Sequence, residues 1–385
     1  MIASMITVKR VRTRKEQKEF LNFPLKLYRG CPYFVPPLYG EEKRIFDPDY
    51  FYYDDAEAEH FLAFQDGKVV GRIEAILHRA SNEKWKQRRV RFDRFDAFDD
   101  QAIADALFAA VEGWAKEKGM EEIVGPLGFS DFEREGLLID GFDEVATFEE
   151  QYNYPYYQKL IENRGYRKEV DWTERKVYAS DSVEPHFKIV SDLMMKKLRL
   201  HFANPKNSGE LLRDYGEQFF DIVDDTYRNI YMTVPFNKKQ RESMIASFRL
   251  VLDPSRLAII LDEQNRCVAF GLCFPSLSKA VQKSGGRLTP PCLYRLFKAI
   301  KRPRVLDMGL IGVRPEYRNT GIEWAMLVKV KDILRSGKIE YAETNLNLED
   351  NLEIKNTWDH FKTVLHKRRR SFVKSLSIEK SQPFD

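Results

Sequence analysis

Residues 306–323 read LDMGLIGVRPEYRNTGIE. The apolar run Arg304–Val313 predicts a strand, and Gly321–Leu334 has the spacing of a helix that Gly337 stops. RPEYRNTG lies between them. A helix N-terminus leaves N–H groups without intrahelical partners and carries partial positive charge, so it suits an anion such as a pyrophosphate. Gly321 lets the backbone approach that anion with no Cβ in the way, and Arg318 adds a fixed charge with several donors. An Arg-x-x-Gly pattern is common; this one gains weight from its place directly after a strand and before a helix.

Upstream, Leu257–Leu261 and Cys267–Phe274 predict a hairpin joined through DEQNR, and downstream Ile339–Asn345 is a further strand. Helical spacing covers Leu211–Tyr227 and Lys238–Phe248. The first half has the same order. A strand at Met5–Val11 and a helix from about Arg14 to Leu27 lead to the strands His60–Gln65 and Val69–Leu77, joined by the turn dipeptide Asp66–Gly67. Arg89–Phe98 alternates strictly, which predicts a half-buried strand, and Gln101–Lys118 is an amphipathic helix ended by Gly119. Ile123–Val124 is a short buried strand. The hairpins FLAFQDGKVVGRIEAI and LAIILDEQNRCVAFGLCF each precede a strand, a helix ending in glycine and another strand, which implies a duplication. We therefore expect an α/β protein of two tandem domains, 1–180 and 181–385, with a linker around Ala179–Pro185.

The 63 basic and 59 acidic residues nearly cancel to a net charge of +4, which is no nucleic-acid signature. No apolar run is long enough for a signal peptide or a membrane span, so no membrane partner is expected. The four cysteines lack CxxC spacing, and the chain reads as cytoplasmic with reduced thiols. Six scattered histidines form no HxxxH pair, so no metal is expected, and no Ser or Cys sits in a nucleophile-elbow context. The run His366–Arg370 predicts a solvated strand edge, with contact to a ligand phosphate or to an acidic partner as the functional alternative.

The 304–375 segment resembles the GNAT N-acetyltransferase superfamily, and the element order extends the resemblance to the whole second half. Arg318 and Gly321 match the first two fixed positions of its Gln/Arg-x-x-Gly-x-Gly/Ala loop, and IGVRPEY is similar to its usual lead-in. The third fixed position is Glu323, whose carboxylate would repel a pyrophosphate unless it points away along the helix. AETNLNLEDN (342–351) is similar to the following motif. GFDE and YNYPYY resemble bacterial tandem-GNAT proteins.

The resemblance implies two mixed sheets flanked by helices. It also implies one site for acetyl-CoA or another acyl-CoA, and transfer to a primary amine on a small molecule or peptide. The backbone of Leu310, Ile311, Gly312 and Val313 would pair with pantetheine; Arg318, Asn319, Thr320, Gly321 and Ile322 would hold the pyrophosphate; and Asn351 would contact the pantetheine arm. The acid that many members place seven residues after that Asn is here Trp358, which does not donate to a thiolate in the same way. Glu343 is the leading base, ahead of Asp307 and Glu349.

The first half lacks the loop, and Asp96, Asp99 and Asp100 would repel a phosphate, so it should not bind CoA. It would serve as a substrate or partner wall, with Asp131 and Asp140 attracting a cationic amine and Tyr154 shaping the pocket; the alternative is an ordered loop and a packed helix. A monomer or homodimer is expected. Two other functions stay open: a Fem-type aminoacyl transferase, and a non-catalytic ligand-binding protein.

Overall fold

The Asp66–Gly67 turn takes the form its dipeptide favours. Both residues have positive φ, 50° and 74°, as a two-residue hairpin of the type I′ hand requires. The computed structural model describes residues 5–179, 185–249, 251–336 and 338–376. The expected linker falls largely on 180–184 and the expected helix stop on 337, both outside the described residues.

In chain order the elements are β1 (Thr7–Arg10), α1 (Arg14–Leu27), α2 (Tyr39–Glu42), β2 (Ala56–Gln65), β3 (Lys68–His78), α3 (Arg79–Trp85), β4 (Arg89–Ala97), α4 (Gln101–Glu117), β5 (Glu122–Gly125), β6 (Leu137–Asp140), α5 (Tyr156–Asn163) and β7 (Arg167–Tyr178). They continue with α6 (Pro185–Lys197), β8 (His201–Phe202), α7 (Ser208–Thr226), α8 (Lys238–Phe248), β9 (Leu257–Leu261), β10 (Cys267–Pro275), α9 (Ser278–Gln282), α10 (Pro290–Lys301), β11 (Val305–Val313), α11 (Ile322–Arg335), β12 (Tyr341–Thr344), β13 (Asn347–Leu348), α12 (Leu352–Trp358) and β14 (Lys362–Ser375). No helix among the described residues is long and apolar enough to cross a membrane.

The chain folds as two units. The first comprises Met1–Trp172, Val281–Cys292 and Lys367–Asp385, and the second Thr173–Ala280 and Leu293–His366. The strand ends are thus exchanged relative to a simple division of the sequence. In the first unit β5 pairs antiparallel with the C-terminal part of β14, Phe372 opposite Gly125 and Ser375 opposite Glu122. In the second unit β12 pairs antiparallel with the last part of β7, Ala342 opposite Val177.

Within each unit the pairing repeats. β2–β3 and β3–β4 are antiparallel and β4–β5 parallel; likewise β9–β10 and β10–β11 are antiparallel and β11–β12 parallel. The recurring hairpins therefore mark a repeated fold. α4 begins at Asp100, whose side chain accepts from the Ala102 amide, and it buries Ile103, Leu107, Phe108, Val111 and Trp114. α11 buries Ile322, Met326, Val330 and Ile333 against one face of its sheet, where Leu306, Ala342 and Val177 meet it.

Two expectations are corrected. The alternation of β4 predicted one solvated face, yet its polar residues are buried too: Arg91 is 1% exposed and donates to the Gly128 carbonyl at 2.8 Å and to Ser81 Oγ at 2.9 Å. Arg94 pairs with Glu42, Glu74 and Asp93, so the polar face lies in an internal ion network. Lys367 and Arg369, expected on a solvated edge, are 1% and 0% exposed. Arg369 donates to the Gln151 carbonyl, and Arg370 makes a two-pronged pair with Asp171.

Candidate active site

Parallel strands that stay paired expose no backbone between them. β11 and β12 pair over four positions, from Val305 opposite Tyr341 to Met308 opposite Thr344. The Asn345 amide then closes on the Met308 carbonyl at 3.1 Å, and β12 ends while β11 continues to Val313. Gly309–Val313 is therefore an open strand edge facing the gap. Leu310, Ile311, Gly312 and Val313, expected to present backbone there, all lie on it. Gly312 is required sterically, because a Cβ would fall 2.7 Å from the Phe270 ring and 3.0 Å from Ile222 Cγ2.

A tyrosine occupies this edge. The Tyr227 hydroxyl donates to the Ile311 carbonyl at 2.8 Å and accepts from the Ile311 amide at 3.3 Å. Tyr227 is the C-cap of α7. The expected helix reaches this residue, but nothing in the helical spacing places its side chain on β11.

Past Val313 the loop turns as its residues dictate. Pro315–Tyr317 forms a short 3-10 turn, Asn319 has φ 59°, and Gly321 is the N-cap of α11 at φ 93°. A Cβ on Gly321 would lie 2.8 Å from Met194 Cγ, so both conformation and space demand glycine. Thr320 Oγ1 donates to the Tyr317 carbonyl, and Ile322 is buried beneath the loop. Arg318 is exposed, its Nε donating to the Val313 carbonyl at 3.2 Å.

The Glu323 carboxylate does not point away. It accepts from the Asn319 amide at 2.8 Å and the Gly321 amide at 3.1 Å. The anion cradle is thus formed, and the chain's own anion fills it.

The face of β11 and β12 turned away from α11 carries the acid–base groups. Asp307 and Glu343 are register partners, and Lys176 stands opposite Glu343 on β7. Asp307 and Glu343 are buried, at 8% and 5% exposed. His366 Nε2 lies 3.2 Å from Glu343 Oε1, and ligand atoms of Glu174, Glu343 and His366 all fall within 4.8 Å of one another. That spacing would also allow a divalent cation to be held. The sequence reading missed Glu174 and His366, because both sit in alternating charged strands that look solvated.

Asn351 caps α12, its Oδ1 accepting from the Ile354 amide at 3.2 Å, and Trp358 Nε1 donates to Asn347 Oδ1 at 2.8 Å. Beyond Phe274, whose ring presses on Gly309, the same face continues into a narrow apolar seam between α7, α8 and β9–β10, lined by Phe219, Phe248, Phe270 and Leu272. All four cysteines carry unbridged thiols, and burial pushes those of Cys267 and Cys273 up to about 12, away from the nucleophilic thiolate.

In the first unit, Asp140 is exposed at the end of β6 and Asp131 is half-buried. Tyr154 packs among Tyr28, Tyr152 and Tyr156, with ring centroids 5.0–5.9 Å apart. Asp96 accepts from Arg72 and the Tyr28 hydroxyl, and Asp100 caps α4.

No family model matches the chain. It is 26% identical to Protein YghO of Escherichia coli (strain K12), over 98% of this chain and 97% of that protein. It is 24% identical to the Bacterial ceramide synthase of Caulobacter vibrioides (strain NA1000 / CB15N), over 95% of this chain and 96% of that one. Its fold is similar to that of a tandem GNAT protein from the clavulanic acid biosynthesis pathway, with TM-score 0.56 and 10% identity over 98% of this chain and all of that one. It is also similar to a fungal multi-domain protein containing a GCN5-related glucosamine N-acetyltransferase region, with TM-score 0.59 and 13% identity over 97% of this chain and 38% of that one. The chain is a tandem GNAT-fold protein.

Proposed function

We propose that the chain is an N-acyltransferase that moves an acyl group from an acyl-CoA thioester to a primary amine, with one donor site in the second unit. The observation that carries this reading is the open edge of β11, whose Ile311 amide faces the gap on the same strand as Asp307, the register partner of Glu343 in the Glu343–His366 pair. Pantetheine amides would pair with Leu310–Val313, and the pyrophosphate would enter the loop 318–322 as Glu323 swings out. Asn351 would reach the pantetheine arm by leaving its cap.

In the reaction the amine nitrogen attacks the thioester carbon. The oxyanion that forms takes a hydrogen bond from the Ile311 amide. His366, held by Glu343, accepts the amine proton, with Asp307 on the same face, and the C–S bond breaks. The departing thiolate takes a proton from the Tyr227 hydroxyl, a role open because Trp358 is already bonded to Asn347. Ile311 lies four positions along β11 from Asp307, roughly 13 Å of extended strand, so the amine proton would reach the base through a relay of about two waters.

A donor longer than acetyl is favoured by the ceramide synthase name of a relative that is 24% identical over 95% of the chain. The test is calorimetric titration with acetyl-CoA and palmitoyl-CoA, followed by thiol release over short and long-chain amines, with and without a chelator. No heat with either donor sinks the reading. Tight binding without thiol release points to a ligand-binding protein, retention of aminoacyl-tRNA points to aminoacyl transfer, and loss with the chelator makes Glu174, Glu343 and His366 metal ligands.

A further inference from the structure

Between Glu263 and Asp307 the chain has no Asp or Glu, against nine Lys and Arg. In a protein whose overall charges nearly cancel, a run of 43 residues without an acid is a local feature with one sign. Five of those cations, Arg295, Lys298, Lys301, Arg302 and Arg304, lie in α10 and the four residues after it.

The same helix exposes its large apolar side chains. Leu293, Tyr294 and Phe297 are 51%, 70% and 61% exposed. At 3.6 residues per turn they share one face; Lys298 borders it and Lys301 ends it one turn past Phe297, both exposed. Arg295 points elsewhere, its Nε donating to the Ala280 carbonyl at 3.1 Å. An aliphatic and two aromatic side chains bordered by long cations fit a bilayer interface: the rings and the leucine enter the acyl boundary, and the lysine stems reach up to the headgroups.

We propose that α10 docks the protein on anionic phospholipid membranes, lying in the interface plane with Leu293, Tyr294 and Phe297 inserted. Charge selects this occupant over a neutral apolar partner. Each Lys or Arg near an anionic surface raises partition by roughly fivefold. The segment itself has no acid; from outside it, Glu340 pairs with Arg304 and Asp253 lies near Lys301, so Lys298, Lys301 and Arg302 carry the attraction. No helix among the described residues is long and apolar enough to cross a bilayer, and the contact proposed is with the surface. The proposal goes beyond the expectation of no membrane partner, which rests only on spans and leaders. The inference is independent of the acyl-transfer reading, although an amphiphilic amine would reach the second unit most directly from such a surface.

The full-length chain is sedimented with vesicles of phosphatidylcholine alone and with an equimolar mixture of phosphatidylcholine and phosphatidylglycerol, at about 0.1 M salt, where the Debye length is about 10 Å. The mixed vesicles should bind it at least roughly tenfold more strongly. The Lys298→Glu/Lys301→Glu double variant should lose roughly 25-fold or more. Leu293→Ser/Phe297→Ser should lose binding with an unchanged thermal midpoint, since both side chains are already exposed. Absence of binding to the mixed vesicles overturns the proposal, as does equal binding by the variants. A dimer in light scattering that Phe297→Ser dissolves also overturns it, by making the face a self-interface.

Discussion

The two units open the same sheet at the same place and fill the opening differently. β4 and β5 pair over Arg89–Arg91 and then part, as β11 and β12 do after Met308. In the first unit the exposed edge is sealed at Ala97 by two tyrosines: Tyr157 accepts from the Ala97 amide at 3.2 Å, and Tyr156 donates to its carbonyl at 2.8 Å. Tyr157 is fully buried and shares its hydroxyl with Tyr28 and Asp96. In the second unit one half-buried tyrosine, Tyr227, touches Ile311, and an exposed glutamate fills the loop beyond. An open parallel edge is costly to leave unpaired, so both copies satisfy it. One plug belongs to the core; the other is half-buried, and on the proposed function a ligand would displace it.

Changing the second opening at its chemistry should have the largest effect. His366→Ala should lower kcat by about 10²–10⁴-fold while leaving donor binding intact, measured by thiol release beside calorimetry. Gly321→Trp should raise the Kd for acyl-CoA by roughly 100-fold or more, since a ring would fill the cradle and strain its positive φ.

Stability separates the two plugs. Tyr157→Phe removes a buried hydroxyl shared among several partners and should cost about 1–3 kcal/mol in urea unfolding. Tyr227→Phe should cost no more than about 0.5 kcal/mol. Equal losses would mean that both openings are structural.

The first opening should also show in the pH dependence of stability. Burial, with Glu74 adding to it against the pull of Arg94, pushes the Asp93 carboxyl up to about 7. The folded chain then holds a proton that the unfolded chain releases near pH 4, so stability falls as pH rises between about 4 and 7 and levels above. Asp93→Asn should flatten that slope between about pH 4 and pH 7. The smallest expected change is a gain: Glu323→Gly, which empties the cradle of its internal anion, should tighten acyl-CoA binding by a few-fold. Weaker binding would show that the carboxylate assists the ligand.

What the sequence disclosed follows the range over which each signal acts. The hairpins were legible because Asp66–Gly67 fixes a local turn, and the loop because Pro315 and Gly321 bracket a strand-to-helix passage. Glu343 and Asp307 were legible as carboxylates near a motif, while their register pairing comes from the sheet. His366 and Glu174 were hidden because alternating charge in a strand reads as solvated, and only long-range pairing buries it. The same blindness applied to Lys367, Arg369 and the polar face of β4. Glu323 was noticed as a departure, but its direction depended on the positive φ of Asn319 and Gly321, which curls the amides toward it.

The exchanged β14 sets an order of events during synthesis. The edge of β5 at Gly125 finds its partner only when Phe372 has emerged, 247 residues later. At about 5–20 residues per second that is a wait of roughly 12–50 s, during which the first unit has an unpaired strand edge beside a formed hairpin sheet. Such an edge invites pairing with other nascent chains, and a chaperone that covers strands is the natural guard against it. A chain stopped short of Lys367 would therefore fail first in its N-terminal unit, far in sequence from the cut.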